Sequence, residues 1–409
     1  MSKVWHRSGY SFDPSAASSL APSAYGDAST FAVELRRLFA PDSGLVFLGH
    51  DLSLPEVGHR RSDADPRIVL TRDGDGVVRA LANVCTHACR PLLVDDEPVC
   101  RPRLRCAFHD WTFRSDGSLI GAAHFDFGGG AVGRSTRDRL ALTSFDVLSW
   151  HGFHFAVDPE RRREYAADLD RIDADFEARG VADWLDFGDW IPVHERDDRY
   201  RGDWKLFLEV FGDCYHVPPY HPGLASFVDC GSIEWTFGEN FHVQFLELSA
   251  QRGRRSSTYA EWAAGLDRYY ELRGEPAPRM AVAWVGLYPN LMLEAYNGLR
   301  VISILVPDGF GAYVNRVHYF VPPDMERLVP GLARTITEAY DETVVEDRDL
   351  VDSRRDGMLS AASLGLDLDR YSANIGGVAL EAGVPHFQQW WTRRCGVPDP
   401  VPADSYCSP

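Results

Sequence analysis

No stretch of the 409 residues approaches the ~20 consecutive apolar positions that a membrane span needs. The longest apolar runs, Ala281–Tyr288 and Val301–Val306, have the length of strands. Basic residues are in deficit. The 42 lysines and arginines against 60 aspartates and glutamates leave a net charge of −18, which disfavours nucleic acid and anionic membranes as partners because both are polyanions. The first ten residues carry no apolar signal core, so export is not expected and the expected location is cytoplasmic. Nucleotide fingerprints are missing as well. Gly128-Gly-Gly-Ala-Val-Gly133 fits G-x-G-x-x-G literally, but no strand–helix unit surrounds it and it reads as a flexible loop. Internal repeats are absent. Cysteine is sparse, with eight residues at 85, 89, 100, 106, 214, 230, 395 and 407. In a long chain without a signal segment, cysteines that cluster with histidines read as metal ligands or catalytic groups before they read as disulfides.

What remains is an ordinary globular composition, 45% apolar and 25% charged, long enough for two domains that need no disulfide staple. Residues 1–40 read as a loosely ordered Ser/Ala/Pro/Gly segment followed by a helix. There Phe31, Leu35, Leu38 and Phe39 recur at helical spacing behind a Ser29-Thr30 cap. From 41 to 157 short apolar runs alternate with turn signals such as Asp73-Gly74-Asp75-Gly76, which predicts a small all-β domain. From 158 to 409 helical patterns over Asp203–His216 and Leu328–Met358 accompany six strand-like runs between Ile233 and Tyr319, ahead of a Pro-rich tail. The expected fold class is α+β, with an antiparallel sheet flanked by helices in the second domain.

Cysteine and histidine meet in one place. Cys85-Thr-His87 and Cys106-Ala-Phe-His109 are separated by eighteen residues, and each half offers one thiolate and one imidazole. Structural zinc sites favour C-x2-C pairs. One thiolate–imidazole pair from each of two loops instead suits a 2Fe–2S centre with two Cys on one iron and two His on the other. A zinc knuckle is the alternative. Cys89 and Cys100 have no histidine at matching spacing and read as structural thiols.

A second constellation follows. Read as one helix, Glu209, Asp213 and His216 share a face, and Pro218-Pro219 then break it so that His221 must reach back from a turn. Two imidazoles need a carboxylate to complete the facial triad of a non-haem Fe(II) site. The downstream helix offers Asp341, Glu342, Glu346, Asp347, Asp349 and Asp352. Its apolar stripe of Leu332, Ile336, Tyr340, Val344, Leu350 and Val351 places Asp347 inward, where an unpaired charge is costly, and Glu346 and Asp349 toward solvent.

These motifs resemble the Rieske-type non-haem iron oxygenases, the ring-hydroxylating oxygenase α-subunits. The similar stretches are Asn83-Val-Cys-Thr-His87, Cys106-Ala-Phe-His-Asp-Trp-Thr-Phe113, and Asp213-x-x-His216-x4-His221 behind Asp203-Trp-Lys205. The chain departs from the family at Ala88-Cys89, where Arg-Gly is common, at Asp110, where Gly is common, and at Val210, which is commonly polar. The resemblance implies a helix-grip-like catalytic domain and a Rieske cluster on Cys85, His87, Cys106 and His109. It also implies Fe(II) on His216, His221 and Asp347. Asp213 would bridge His109 of one chain to His216 of its neighbour, which requires a ring of chains, expected to be a trimer. The implied activity is that of a terminal oxygenase using O₂ and electrons from a separate NAD(P)H-dependent reductase, with or without a ferredoxin; a β-subunit stays open. Hydroxylation, dealkylation or N-oxygenation of an aromatic, heteroaromatic or amine compound would fit, as would oxygenation of a quaternary ammonium compound. Phe211, Tyr215, Tyr220, Trp284, Tyr288 and Tyr296 are the expected pocket aromatics, and Glu209 could pair with a cationic amine. An electron carrier with the cluster alone, or a zinc-stabilised binding module, are the competing readings.

Overall fold

The computed structural model describes residue 20 and residues 23–122, 134–366 and 379–396. The Gly128–Gly133 loop, most of the 1–28 segment and the Pro-rich tail lie outside the described residues. The chain is α+β and divides into two compact units, Phe39–Gly188 and a second unit built from the segments that precede and follow it.

The first unit is three small antiparallel sheets. One runs β1 (Leu45–His50), β10 (Phe153–Val157) and β9 (Val147–Trp150); the next β2 (Gly58–Arg61), β3 (Ile68–Arg72), β4 (Val78–Ala82) and β8 (Ser144–Phe145). The last is β5 (Arg103–Arg105), β6 (Thr112–Arg114) and β7 (Leu119–Gly121). This unit extends past the expected boundary at Val157. The helix Arg162–Ala178 buries Tyr165, Leu169, Ile172 and Phe176, and its Asp173 accepts the Trp150 indole N–H at 2.9 Å. That polar-looking stretch is amphipathic, so the domain boundary falls at Gly188.

In the second unit a seven-stranded antiparallel sheet has the order β11 (Ile191–Arg201), β17 (Ala312–Val321), β16 (Leu299–Pro307), β15 (Leu291–Tyr296), β14 (Met280–Leu287), β13 (Phe241–Leu248) and β12 (Val228–Phe237). The inner strands are buried along almost their whole length, because helices cover the sheet. The long helix Leu332–Ser363 begins after Pro330 and the left-handed Gly331 (φ 87°), so the expected Leu328 start belongs to a separate short turn, Met325–Leu328. Cross-strand partners fix which side chains look toward that helix. Trp284, Glu294 and Val301 stand opposite one another, and Tyr296 follows Glu294 by two residues on the same side.

The N-terminal helix forms at Ala28–Arg37, capped by Asp27 rather than Ser29-Thr30; the Asp27 carboxylate accepts the Thr30 N–H at 2.8 Å. Its inward face carries Thr30 and Glu34, whereas Leu35 is exposed. Glu34 is fully enclosed because it receives the Lys205 ammonium at 2.5 Å and the indole N–H groups of Trp204 (2.9 Å) and Trp391 (2.7 Å). Asp203 also contacts Lys205, at 2.7 Å. The network ties the first and last helices to the segment that leads into the catalytic helix.

Burial holds the imidazoles of His50 and His242 down to about 3 and that of His154 down to about 4. These groups bind protons in the unfolded chain near pH 6.5 but not in the fold, so their stabilisation is complete above 6.5 and is lost as pH falls toward 4. Each costs about 1.4 kcal/mol per pH unit in that window. We expect the calorimetric unfolding temperature to fall steadily from pH 6.5 to 4 at constant ionic strength; a flat profile over that range would contradict the burial of these rings.

Candidate metal centres

The two loops of the first unit are built alike. One follows β4 and the other joins β5 to β6. In each, the cysteine N–H donates to the carbonyl five residues on (Cys85 to Arg90, Cys106 to Trp111, both 2.8 Å). The residue four positions on donates back to the cysteine carbonyl (Cys89 at 2.9 Å, Asp110 at 3.0 Å). That tight turn forces a left-handed backbone at Cys89 (φ 56°) and Asp110 (φ 60°). These are the positions where the resembled family has glycine, and the departure is therefore one of strain, about 1–2 kcal/mol for an ordinary residue and less for Asp. Buried Asn83 staples the first loop, accepting the Leu92 and Leu93 N–H groups and donating to the Pro66 and Leu93 carbonyls.

Cys85 and Cys106 are buried while His87 and His109 are exposed. The thiols lie against each other, and burial together with the Cys106 sulfur pushes the Cys85 thiol up. The two imidazole rings are 4.5 Å apart, and His87 stacks on Trp111 at 4.7 Å. Among the described residues no three of these donors converge on one point, as a single zinc would require. A thiol pair inside and an imidazole pair outside fit a dinuclear cluster instead.

In the second unit the catalytic helix is shorter than the spacing suggested. It spans Lys205–Phe211, and Gly212 ends it. Gly212 packs backbone to backbone on Gly383, where a Cβ on Gly383 would lie 2.7 Å from the Gly212 carbonyl oxygen. Gln244 donates to the Phe211 carbonyl at 2.8 Å, and Cys214 N–H to the Leu380 carbonyl at 2.7 Å. Asp213 therefore leaves the helix on a fixed path. His216 and His221 then bracket a single turn, Val217–Tyr220, in which Pro218 is accommodated near the start rather than breaking a longer helix.

The Nε2 atoms of His216 and His221 are 3.1 Å apart, and Asp347 Oδ1 lies 3.0 Å from His221 Nε2 and 3.7 Å from His216 Nε2. Such a triangle is what three donors bonded at ~2 Å to one ion would form. The far ring nitrogens are also held: His216 Nδ1 lies 3.1 Å from Asp213 Oδ2, and His221 Nδ1 lies 2.7 Å from Glu346 Oε2. A carboxylate behind each imidazole fixes its tautomer and turns its Nε2 to the common point. Burial alone would lower His216, but hydrogen bonds to Asp213 and Asp347 raise it to about 9; burial likewise opposes, and Asp347 and Glu346 outweigh it, at His221. Burial would raise Asp347, yet the two imidazoles hold it below the usual carboxylate range.

Glu346 is thus a site residue that helical periodicity assigned to solvent; no feature of the sequence marks it. The other helix carboxylates are engaged elsewhere. Asp341 accepts from Arg196 and Tyr319, and Glu342 accepts from Ser256 and Thr258. Glu209 is not a pocket residue. It is buried and neutralised by Arg354 at 2.5 Å, with Gln388 and Tyr25 also donating to it.

A cavity opens beside the triad. Of the expected aromatics, Phe211, Trp284 and Tyr296 line it. Tyr215 and Tyr220 are exposed, and Tyr288 is buried against His242 and His386. Tyr200, Phe207, Tyr340, Glu294, Ser303 and Asn315 also line it and were not expected. They come from β11, β15, β16, β17 and two helices, so only the folded chain gathers them.

Two outcomes follow. Glu346→Gln is expected to lower iron affinity about 10–100-fold in chelator competition while leaving the 2Fe–2S absorbance unchanged. Cys89→Gly is expected to raise the thermal stability of the cluster-loaded protein by about 1 kcal/mol. Asp110→Gly should gain less, since Asp tolerates the left-handed region and loses its 2.8 Å pair with Arg105.

The family described as Rieske [2Fe-2S] domain matches residues 46–126, and that described as ring hydroxylating alpha subunit (catalytic domain) matches residues 187–397. A putrescine 2-hydroxylase of Ralstonia nicotianae is 32% identical over 381 residues, 91% of this chain and 94% of the relative. A carnitine monooxygenase oxygenase subunit of Acinetobacter pittii is 24% identical over 379 residues, 89% of this chain and 91% of the relative. A solved structure of a quaternary ammonium Rieske monooxygenase, reported with insights into carnitine oxidation and inter-subunit electron transfer, shares the fold with TM-score 0.71. Its identity is 18%, over 92% of this chain and 96% of that one. No helix among the described residues is long and apolar enough to cross a membrane. Both domain matches and the likeness along nearly the whole chain make this protein a member of the Rieske non-haem iron oxygenases, a terminal oxygenase alpha subunit that binds a 2Fe–2S cluster and a mononuclear iron.

Proposed function

We propose that this oxygenase hydroxylates a small aliphatic amine, with Cys85, His87, Cys106 and His109 holding the cluster and His216, His221 and Asp347 holding the iron. The observation that carries the reading is the convergence of those three donors beside a cavity lined by aromatic, aliphatic and a few polar side chains. The amine follows the putrescine 2-hydroxylase likeness. A quaternary ammonium substrate is the second reading, supported by the aromatic walls, which suit a cation without N–H groups.

When bound, the iron with electrons from the cluster activates O₂ for insertion into a substrate C–H bond. The chain's own residues supply the rest. Asp213 and Glu346 keep the Nδ1 protons of His216 and His221 in place, so both Nε2 atoms stay available as ligands. Phe211, Trp284 and Val344 give the cavity apolar lining. The exposed imidazoles of the cluster loops and the exposed Tyr215 and Tyr220 beside Asp213 support a route in which His109 of one chain meets Asp213 of the next, within a trimer. Electrons would enter from an NAD(P)H-dependent reductase, with or without a ferredoxin.

The relay has a direct test. Asp213→Ala is expected to retain both metals but lose nearly all substrate-coupled O₂ uptake. A chain lacking the cluster (Cys85→Ser) and one lacking the iron (His221→Ala) should each be inactive, yet regain activity when co-assembled. No recovery in the mixed oligomer would place electron transfer within one chain. Product analysis with a surrogate reductase on putrescine and on carnitine separates the two substrate readings.

A further inference from the structure

The cavity holds a feature that the iron site does not use. Glu294 sits at the middle of β15 and is only 7% exposed, on the side of the sheet that faces the Leu332–Ser363 helix. Its Oε1 accepts the Tyr340 hydroxyl, and Tyr296 also hydrogen-bonds to the carboxylate. The Trp284 indole N–H donates to the Tyr296 hydroxyl at 2.9 Å, which orients that hydroxyl. The rings stand nearly edge to face around the group: Tyr296 and Tyr340 at 5.8 Å and 82°, Trp284 and Tyr296 at 6.3 Å and 70°.

Among the described residues no lysine or arginine lines the cavity, and none forms an ion pair with Glu294. This separates it from Glu209, Glu34 and Asp198, buried acids that each have a basic partner. Burying a carboxylate without a counter-cation is expensive. Burial, with a further push from Asp347 across the cavity, raises Glu294 to about 7. Two tyrosine donors offset part of that cost; the Tyr296 oxygen is taken by the Trp284 N–H, while the Tyr340 oxygen can still accept. A carboxylate edge flanked by a hydroxyl acceptor and aromatic rings matches a group with several N–H donors and a positive charge.

We propose that Glu294, with Tyr296 and Tyr340, is the recognition site for the ammonium group of the substrate, and that it selects a protonated primary or secondary alkylamine. This rests on the amine reading above and deepens it. Glu294 and Asp347 line the same cavity, so an alkyl chain anchored by its ammonium end at Glu294 lies in the space that the iron ligands face. Glu294 is a specificity residue that contacts the non-reacting end. A neutral isostere would leave its charge unpaired, and that penalty would act as the filter against alcohols and alkanes.

The test is anaerobic titration calorimetry of the cluster- and iron-loaded protein with putrescine, n-butylamine, n-butanol and tetramethylammonium. Wild type should bind n-butylamine at least about tenfold more tightly than n-butanol, and more tightly than tetramethylammonium. Glu294→Gln should weaken putrescine and n-butylamine about 30-fold and bind n-butanol more tightly than wild type does, because the unpaired charge that disfavours the alcohol is gone. Tyr340→Phe should weaken the amines by a smaller factor. Equal amine affinity in wild type and Glu294→Gln would overturn the assignment while the amine reading stands. Failure of wild type to bind any amine would remove both, and tighter binding of tetramethylammonium would assign the cage to a quaternary cation. If Glu294→Gln does not fold, the wild-type preference of n-butylamine over n-butanol decides the matter: no preference overturns the proposal.

Discussion

Three donor atoms from two segments more than a hundred residues apart must sit within about 4 Å of one another. An imidazole pair and a carboxylate can be held so only if each has a second partner that stops it turning away. Asp213 and Glu346 are those partners, and together with Asp347 and Glu294 they concentrate negative charge around a cavity that no lysine or arginine lines among the described residues. Such a cavity is electrostatically incomplete as a bare polypeptide. In our reading it is completed by a dication at the histidines and a monocation at the far wall.

Holding that arrangement requires a rigid approach path, and the packing supplies it. The catalytic helix is gripped at its start by the enclosed Lys205–Glu34–Asp203 cluster and at its end by the Gly212–Gly383 contact. The first and last helices of the unit therefore act on the site from outside it, through charge at one end and close backbone approach at the other. The sheet contributes in a different way. Its inner strands are buried on both faces, so any polar side chain there is conspicuous, and those at 294, 303 and 315 all open into the cavity.

Where the sequence misled, local pattern was overridden by tertiary partners. Helical periodicity placed Glu346 toward solvent, yet a 2.7 Å contact with His221 claims it. Glu209 shares the helix face expected of a substrate contact, yet Arg354 neutralises it. The same logic inverts the N-terminal helix, where Glu34 is buried and Leu35 exposed. Strand β11 had little apolar signal beyond Ile191, Val193 and Tyr200. As the edge of the sheet it is largely charged, and it is held by register with β17 and by pairs such as Arg316–Asp197.

The sequence by itself marked the two candidate ligand sets, because C-x-H/C-x-x-H and the closely spaced His216 and His221 are local constraints that a few bonds of chain enforce. It also determined the α+β class and the oxygenase family, since two independent motifs in one order leave little else. It could narrow the helical carboxylate to Asp347 because an inward charge on an apolar stripe needs a reason. Only the tertiary structure decided that Glu346 stands behind His221, that the unit boundary falls at Gly188, and that Glu294, Tyr296 and Tyr340 form one constellation. Those residues come from a strand and a helix far apart in sequence, and their meeting depends on sheet register and helix docking, which no local pattern encodes.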